Sequence, residues 1–306
     1  MPNHGKPANG SRRDIALWAI TRKIGQRTAM RSTNKSGKHS ERLFQNPLRE
    51  FIAWFKPKPS SELNGMPYIK EEAGRLSLHL DKLSIQSEMR LDAPDELVLE
   101  YTRALMSFML FVPNPQHIAM IGLGGGSLAK YCYRYLPQSD ILVIEINSGV
   151  IALRNEFAIP AENERFHVML ADGADYVSDA ASPVDVLIVD GFDTGGQAPQ
   201  LGTQQFYDNC FAKLNDNGLL AVNLWFGYPN YEKYVSRISN SFAGHIVIVD
   251  LDGDKANKII LAVKSTVFPP AVTTLTQRTE CLCETQPINY QAMANKIIQA
   301  LAAFRT

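Results

Sequence analysis

The segment "HIAMIGLGGGSLAKYCYRYLPQSDILVIEI", His117 to Ile146, decides the fold. Its first apolar run, at 117–122, predicts a buried strand, and the glycines that follow predict a tight turn into a helix at 127–136. A second apolar run ends on the acidic residue Glu145. Strand, glycine loop, helix and strand in this order are typical of a parallel βαβ unit whose helix N-terminus faces a ligand.

The same alternation continues along the chain. Apolar runs predict further strands at 141–146, 166–171, 184–190 and 218–225, and helical patterns separate the strands at 127–136, 148–157, 173–180 and 203–214. Strands that alternate with helices form a parallel sheet with helices on both faces. A helix at 230–242 then leads to two runs, at 245–250 and 258–263, whose short connection requires antiparallel pairing. We therefore expect an α/β fold with a seven-stranded, mostly parallel sheet.

The remaining described patterns lie on either side of this sheet. Alternating apolar and polar residues at 68–90 predict a small unit of antiparallel strands. An apolar-periodic helix is expected from Pro94 to about Val112, and an amphipathic terminal helix at 289–304. The predicted domains are a basic, disordered tail (1–50), a small β-hairpin domain (51–93) and a Rossmann-like domain (94–306).

The basic tail is the main irregularity in charge. Residues 1–50 carry eleven Lys and Arg against three acidic residues, a net charge of +8, although the whole chain has a formal net charge of zero. A nucleic-acid or membrane-surface arm is one interpretation, but a solvated tail is favoured because aromatic residues are nearly absent. No apolar run approaches the roughly 18 residues of a membrane span. We expect a cytoplasmic protein without a nucleic-acid or membrane partner.

Metal chemistry finds little support in the sequence. The four cysteines, Cys132, Cys210, Cys281 and Cys283, are too few and too scattered for a disulfide framework or a zinc site, and they fit a reducing cytoplasm. The C-L-C pair is placed in a late loop, where an incidental pair is favoured over a redox or metal pair. The stretch "DLDGDKAN" (250–257) has alternating aspartates but lacks the closing glutamate of a calcium loop, so a hairpin turn is expected. We expect no metal site.

Polar residues just after the strands are the candidate site, because ligands of open α/β sheets bind beyond the carboxyl ends of the strands. Gly122, Gly124 and Gly126 follow the first strand and allow a ligand to approach the backbone at a helix N-terminus. Glu145 follows the second strand and can accept hydrogen bonds from both hydroxyls of a ribose. Asp172 follows the third strand, where it can accept from an adenine amino group.

Asp190 and Asp193 follow the fourth strand, and they either act on a ligand or cap the helix predicted at 203. An NAD-dependent dehydrogenase is disfavoured, because its fingerprint needs Gly or Ala where this chain has Ser127. The chain also lacks a sizeable substrate domain. A seven-stranded sheet that ends in an antiparallel hairpin instead suits an adenosylmethionine-type sulfonium ligand.

Several segments carry a specific resemblance by their order and spacing. They are "LSIQS" (83–87), "PDEL" (94–97), "IGLGGGSL" (121–128), "VIEI" (143–146), "ADG" (171–173), "VDVLIVDGFD" (184–193) and "L...FY" (201–207). Through them, residues 76–225 resemble the spermidine synthase family of aminopropyltransferases. The resemblance implies an N-terminal β-domain, a homodimer or tetramer, and decarboxylated adenosylmethionine as the donor.

The resemblance also implies roles for individual residues. The donor would be contacted by Gln86, Glu145, Asp172 and Gly173, in addition to the loop glycines Gly122, Gly124 and Gly126. Asp190 would be the catalytic acid–base residue, and Asp193 would help to hold a small-molecule amine acceptor. A purely structural role in the hairpin backbone stays open for Gln86.

Two departures from the family pattern indicate a divergent branch. Gly125 stands where family members carry an aspartate within the glycine loop, so that contact to the donor's amine is lost. Leu99, Glu100 and Tyr101 occupy the register of the family's Tyr-His-Glu trio, and we expect Glu100 and Tyr101 to line a rebuilt substrate pocket.

The leading functional hypothesis is a transferase that moves an aminopropyl group from a decarboxylated adenosylmethionine-type sulfonium donor to an amine. One alternative is an adenosylmethionine-dependent methyltransferase on the same fold. Another is a non-catalytic protein that binds an adenosyl ligand. The presence of both Asp190 and Asp193 speaks against the non-catalytic alternative.

Overall fold

The computed structural model describes residues 66–81, 84–179, 182–193 and 196–302. The predicted basic tail and the first part of the predicted hairpin domain, 51–65, lie outside these residues. The predicted domain boundaries therefore stay predictions. Within the described part of the chain, no helix has both the length and the apolar character needed to cross a bilayer.

The small N-terminal unit is a three-stranded antiparallel sheet, which agrees with the alternating pattern. Its strands are β1 (Tyr68–Glu72), β2 (Arg75–His79) and β3 (Ser87–Arg90), in that spatial order. Leu76, Leu78 and Met89 from β2 and β3 are buried in the same core as one face of the large sheet. The unit is therefore packed onto the rest of the described chain through its apolar face.

The large sheet has the seven strands that the sequence predicts. They are β4 (His117–Ile121), β5 (Asp140–Glu145), β6 (Phe166–Leu170), β7 (Val184–Val189), β10 (Leu214–Trp225), β11 (Ile246–Asp250) and β12 (Asn257–Val263), and a short hairpin of β8 (Phe192–Asp193) and β9 (Gly196–Gln197) follows β7. The spatial order is β11-β12-β10-β7-β4-β5-β6. Strands β10, β7, β4, β5 and β6 pair in parallel, and β12 pairs antiparallel with β10 and β11. This confirms the mostly parallel sheet with a terminal antiparallel hairpin.

Helices cover both faces of this sheet. They are α1 (Glu100–Leu105), α2 (Ser127–Tyr135), α3 (Ser148–Ala152), α4 (Gly173–Ser178), α5 (Gln204–Lys213), α6 (Tyr231–Ser241), α7 (Val272–Thr285) and α8 (Tyr290–Ala302), with a 3₁₀ turn at Met106–Leu110. Alternate residues of β7 enter opposite cores, Val186 and Ile188 on one face, Leu187 and Val189 on the other. Strands buried on both faces explain why their sequences are almost continuously apolar.

The helix predicted from Pro94 begins later, at Glu100. Arg103 explains the delay, because its Nη1 donates to the carbonyl oxygens of Leu97 at 2.6 Å and Val98 at 2.7 Å. These two carbonyls are thereby held by a side chain in an irregular segment. The prediction was wrong because the apolar spacing before residue 100 resembles a helix, while the side-chain contacts favour a turn.

Cys281 and Cys283 lie on α7, so their predicted placement in a loop was wrong. Both cysteines are exposed and free. The helix has a weak sequence signal because its buried face combines Leu275 and Leu282 with the polar residue Thr279. Thr279 satisfies its hydroxyl internally by donating to the Leu275 carbonyl at 2.7 Å.

The sheet changes direction at β4. The chain moves from β4 outward to β5 and β6, and then crosses back to β7 and β10 on the other side. In an open α/β sheet, such a switch point leaves a crevice at the carboxyl ends of the adjacent strands. The residues that follow β4, β5, β6 and β7 therefore lie together at the carboxyl ends of the parallel strands.

Candidate active site

The glycine loop after β4 approaches the loop after β7 very closely. Gly122 has φ +100°, and a Cβ there would lie 2.2 Å from the backbone oxygen of Asp190. Its amide donates to the Ile144 carbonyl at 2.8 Å. A side chain is excluded both by this contact and by the left-handed backbone, so glycine is required where the two loops meet.

The loop ends in the N-terminus of α2 without a side-chain cap. Gly126 is the N-cap residue, in the left-handed conformation with φ +69°. A glycine N-cap has no side chain that could accept from the first amides of the nine-residue helix α2, and uncapped helix N-termini of this kind favour polar or anionic ligands.

The position of Gly125 is enclosed by side chains. A Cβ there would lie 2.7 Å from both Ser87 Oγ and the Phe157 ring. Ser87 Oγ is also 3.3 Å from Ser127 Oγ. Lys130 fixes the backbone of Phe157, since its Nζ donates to the Phe157 carbonyl at 2.7 Å. Burial lowers the pKa of Lys130 to about 8.

Glu145, at the end of β5, is buried, with 7 % of its surface exposed. Its Oε2 accepts from the Leu123 amide at 2.9 Å and its Oε1 accepts from the Asn147 amide at 2.7 Å. Burial raises its pKa above the ordinary value, while these backbone amides oppose the rise. The amides of Gly124 and Ile146 also favour the charged form, so the backbone fixes the orientation of the carboxylate.

Asp172 acts as the N-cap of α4, with Oδ1 accepting from the Ala174 amide at 2.8 Å. Its Oδ2 accepts from Gln200 Nε2 at 3.3 Å, which links the loop after β6 to the loop after β7. Gly173 is needed for packing, because a Cβ there would lie 2.4 Å from the Ile121 side chain. Their predicted contacts to an adenine stay predictions.

Asp190 follows β7 and lies partly buried beside two side chains from distant segments. Its Oδ1 accepts from Asn223 Nδ2 at 2.9 Å. The Tyr101 hydroxyl lies near enough to favour the charged form of the Asp190 carboxylate. Burial raises the pKa of Asp190 to about 6, and Asn223 and Tyr101 oppose that rise. Asp190 is thus ionised at neutral pH but holds a proton more readily than an exposed aspartate.

Asn223 was not predicted from the sequence. It lies near the end of β10 with 3 % of its surface exposed, and its Oδ1 has no hydrogen-bond partner among the described residues. An unpaired acceptor at such a site costs free energy unless a ligand or water satisfies it. The available signal was a single asparagine in the apolar run "LLAVNLW" (219–225), which is unusual for a strand buried on both faces.

Tyr101 contacts the backbone just before β3, at Gln86. The Tyr101 hydroxyl donates to the Gln86 carbonyl oxygen at 3.4 Å. Burial, together with the nearby charge of Asp190, raises the pKa of Tyr101 well above its ordinary value. The Gln86 side chain donates to Ser84 Oγ at 3.1 Å, so both its predicted donor contact and its structural alternative stay open.

Asp193 and Glu100 have different placements. Asp193 is exposed on the β8–β9 hairpin. Thr203 is the N-cap of α5 and accepts from the Phe206 amide at 3.0 Å, so neither Asp190 nor Asp193 is the N-cap of that helix, while a structural role in the loop before it stays open. The Glu100 carboxylate binds backbone amides of the β11–β12 turn. Its predicted direct contact with a substrate stays a prediction. Among the described residues, no three His, Cys, Asp or Glu side chains form a metal-binding group.

Comparison with protein families gives a match over the centre of this arrangement. Residues 99–253 match the model of the spermine/spermidine synthase domain. The chain belongs to the spermine/spermidine synthase family. The matched range includes Tyr101, the glycine loop, Glu145, Asp190 and Asn223. The family resemblance inferred from the motifs is therefore confirmed.

Two curated members of this family are similar over much of the chain. The polyamine aminopropyltransferase of Chromobacterium violaceum is 40% identical over 191 residues, which cover 62% of this chain and 73% of that protein. The polyamine aminopropyltransferase of Neisseria meningitidis serogroup A is 36% identical over 227 residues, which cover 74% of this chain and 86% of that protein.

Solved structures show the same fold at low sequence identity. A probable spermidine synthase from Corynebacterium glutamicum has a TM-score of 0.60 and 18% identity, covering 70% of this chain and 83% of that one. Human methyltransferase-like protein 13 in complex with SAH has a TM-score of 0.56 and 21% identity, covering 61% of this chain and 92% of that one. The sheet is thus shared by aminopropyl- and methyltransferases, which confirms the predicted fold class.

Proposed function

We propose that this chain transfers an aminopropyl group from a decarboxylated adenosylmethionine-type sulfonium donor to a small amine. Family membership supports the reaction class. The observation that carries the site assignment is Asp190, whose carboxylate accepts from Asn223 and whose backbone meets the glycine loop at Gly122. In this assignment Asp190 is the catalytic residue.

The chemistry needs positioning and one proton acceptor. An alkylamine has a pKa of roughly 10, so it arrives as an ammonium ion that an ionised carboxylate can bind. Asp190 accepts a proton from this nitrogen, whose lone pair then attacks the carbon attached to the sulfonium sulfur. The carbon–sulfur bond breaks and the thioether nucleoside leaves. The sulfonium carbon is already electrophilic, so the step depends on alignment of the two reactants.

The donor is proposed to lie along the glycine loop. Glu145 would accept from its ribose hydroxyls, Asp172 from its adenine amino group, and Gly122, Gly124, Gly126 and Gly173 would leave room for it beside the backbone. The fixed Glu145 carboxylate supports this placement, because both of its oxygens are held by amides. Gln86 is proposed to contact the ribose end, and Asp193 to hold the amine acceptor.

Methyl transfer is the second candidate. The corner at Gly125 supports it, because Ser87 and Phe157 stand there and leave no space for a side chain that would repel a donor carboxylate. The two reactions are separated by incubating the protein with each donor and with putrescine. The expected result is a product that gains the mass of an aminopropyl group. A methylated product, or turnover only with intact adenosylmethionine, would overturn the proposal.

We further propose a cytoplasmic homo-oligomer, a dimer or tetramer. Met66, Ile85 and Leu91 of the N-terminal unit are exposed apolar residues, and burial between subunits would cover them. Light scattering at micromolar concentration measures the mass directly, and a monomeric value would contradict this assembly.

A further inference from the structure

Two neighbouring aromatic residues at the end of β10 are almost equally exposed but lie on opposite faces of the sheet. Trp225 has 47 % of its surface exposed and Phe226 has 46 %. Successive residues of a strand point to opposite faces, and in β10 Val222 and Leu224 are buried in one core while Ala221 is buried in the other. Trp225 therefore points to the same face as residues 221 and 223, and Phe226 points to the opposite face.

The Phe226 ring has partners on its own face. Tyr231, which belongs to the same core as Val222 and Leu224, meets this ring edge-on with the centroids 5.2 Å apart. Lys258 Nζ lies 4.7 Å from the Phe226 centroid, so this ring already holds a cation. Within the part of the chain that the structure describes, the Trp225 indole has no such ring or cation contact. Of the two rings, the indole is the one that is open to a ligand.

The open indole lies on the same face of the sheet as the Asp190 carboxylate. Strands β10 and β7 pair in parallel with Val222 opposite Val189, so the next residues, Asn223 and Asp190, are neighbours. Asn223 Nδ2 donates to Asp190 Oδ1 at 2.9 Å. Trp225 is two residues further along β10, about 7 Å beyond Asn223 towards the carboxyl end. The indole is therefore the next side chain after Asn223 on the face where the proposed reaction takes place.

Asn223 provides independent evidence for a ligand on this face. Its Oδ1 is buried and has no hydrogen-bond partner among the described residues, which costs free energy until a donor reaches it. An ammonium group carries three N–H donors, so a protonated amine can donate to Asp190 and to Asn223 Oδ1 together. Two residues of a strand span about the length of a short diamine, so the second amino group of that diamine would reach the level of Trp225.

We propose that Trp225 is a specificity-determining residue whose indole face binds the second, non-reacting ammonium group of a diamine acceptor. Cations are attracted to the face of an aromatic ring, most strongly to that of tryptophan, so this end of the acceptor is recognised without a carboxylate. A monoamine of the same length fills the same space but lacks this interaction. The proposal rests on the proposed function for the placement of the reacting nitrogen at Asp190.

The test compares putrescine with butylamine, which has the same carbon chain but a single amino group. Calorimetry measures both affinities with the donor site filled by methylthioadenosine. Trp225→Leu keeps an apolar side chain but removes the aromatic face. We expect this variant to bind putrescine about tenfold more weakly, about 1.4 kcal/mol, while butylamine binding changes less than about twofold. Trp225→Phe should weaken putrescine binding by only about threefold, since a phenyl ring attracts cations less than an indole does.

Phe226→Leu is the matched control, because it removes an equally exposed ring from the neighbouring position on the opposite face. It should leave both amine affinities unchanged. Trp225→Phe also allows a spectroscopic control. The indole emission of the wild-type protein should change as putrescine binds, and that change should be absent in Trp225→Phe. A purely structural role of Trp225 would not produce this difference.

The possible outcomes separate this inference from the proposed function. Wild-type putrescine affinity in Trp225→Leu would overturn the role of Trp225, as would an equal loss for the two amines. If Trp225→Leu does not fold, an unchanged ratio of the two affinities in Trp225→Phe would overturn it instead. A wild-type protein that does not bind putrescine would overturn it as well. A wild-type protein that binds putrescine with the expected change in emission but transfers no aminopropyl group would contradict the proposed function and support the role of Trp225.

Discussion

Two halves of the candidate site meet at Gly122 and Asp190, and they are built differently. The glycine-loop side consists of Gly122, Gly124, Gly126, Glu145 and Asp172. The Asp190 side consists of Tyr101, Asp190 and Asn223. On the glycine-loop side, the carboxylates are held by amides within a few residues or in the adjacent loop. On the Asp190 side, the polar contacts join segments that are far apart in the sequence.

The difference separates a part of the site that is suited to ligand binding from a part that is suited to chemistry. The glycine-loop side is satisfied internally and offers a preformed surface for a ligand. The Asp190 side contains a carboxylate with a raised pKa and an unpaired acceptor on Asn223. Such features lower stability and are typical of sites that act on a ligand. The predictions below therefore address first the Asp190 side and then the glycine-loop side.

The largest expected effect is that of Asp190→Asn on turnover. Without the carboxylate, the amine loses its proton acceptor, and kcat should fall by about 10²–10⁴. Asp193→Asn is the matched control, because it removes an exposed carboxylate from the same loop and should act mainly on the acceptor KM. Unchanged turnover in Asp190→Asn, with a working pair of substrates, would remove Asp190 from the mechanism.

The same variant should be more stable than the wild type. The pKa of Asp190 is about 6 in the folded protein against an ordinary value of 3.8, so the folded state binds the proton more tightly. Ionisation above pH 6 therefore destabilises the fold, by up to about 3 kcal/mol. Thermal unfolding should show a higher Tm for Asp190→Asn above pH 6. The difference should shrink as the pH falls from 6 towards 4, where the wild-type carboxyl becomes protonated.

The next effect concerns the pH profile of Asn223→Ala. The hydrogen bond from Asn223 lowers the pKa of Asp190, so its loss should raise that pKa above about 6. Because the reaction needs ionised Asp190, kcat/KM falls as the pH drops through this pKa, and the fall should begin at higher pH in the variant. The ratio of variant to wild-type kcat/KM should be about tenfold lower at pH 6 than at pH 8.

Asn215→Ala provides a matched control on the same strand. Asn215 Nδ2 donates to Asp185 Oδ1 at 2.7 Å, so this pair also joins β10 to β7, but at the amino ends of the two strands. Loss of this hydrogen bond in Asn215→Ala should leave the pH at which kcat/KM falls unchanged. An acid limb that stays at the wild-type position in Asn223→Ala would contradict the proposed coupling between Asn223 and Asp190.

The comparison also explains which parts of the site could be predicted from the sequence. Gly122, Glu145 and Asp172 occur at intervals set by consecutive βα units, so counting from each apolar run is enough to find them. Asn223 and Glu100 depend on tertiary contacts. The partner of Asn223 lies 33 residues away, and the amides bound by Glu100 lie more than 150 residues away.

In the fold, the wrong predictions have a different cause. Strands β4, β5 and β7 are largely buried on both faces, so each appears as a run of apolar residues, and the order of the strands along the chain follows from the alternation with helices. The start of α1 and the whole of α7 were predicted wrongly because local contacts decide them. The Arg103 guanidinium fixes the segment before α1, and Thr279 interrupts the apolar face of α7.

The smallest expected effect lies on the glycine-loop side and concerns the choice of donor. An aspartate in place of Gly125 would repel the carboxylate of intact adenosylmethionine and attract the ammonium of the decarboxylated form. In this chain Gly125 is enclosed by Ser87 and Phe157, and the buried Lys130 Nζ donates to the Phe157 carbonyl. We therefore expect the two compounds to bind within about tenfold of each other, a gap below about 1.4 kcal/mol. Titration calorimetry with both compounds measures this ratio.

Gly125→Asp and Gly125→Asn sharpen the test, because both place a Cβ 2.7 Å from Ser87 Oγ and the Phe157 ring and so share the same steric cost. Only the aspartate adds a negative charge. Gly125→Asp should therefore raise the affinity for the decarboxylated compound relative to that for the intact one. Gly125→Asn should keep the wild-type ratio of the two affinities, although both compounds should bind more weakly. A wild-type preference for the decarboxylated donor beyond about a hundredfold would show that another group rejects the carboxylate. A preference for the intact donor would instead support methyl transfer, since the same corner would then bind the carboxylate in place of merely tolerating it.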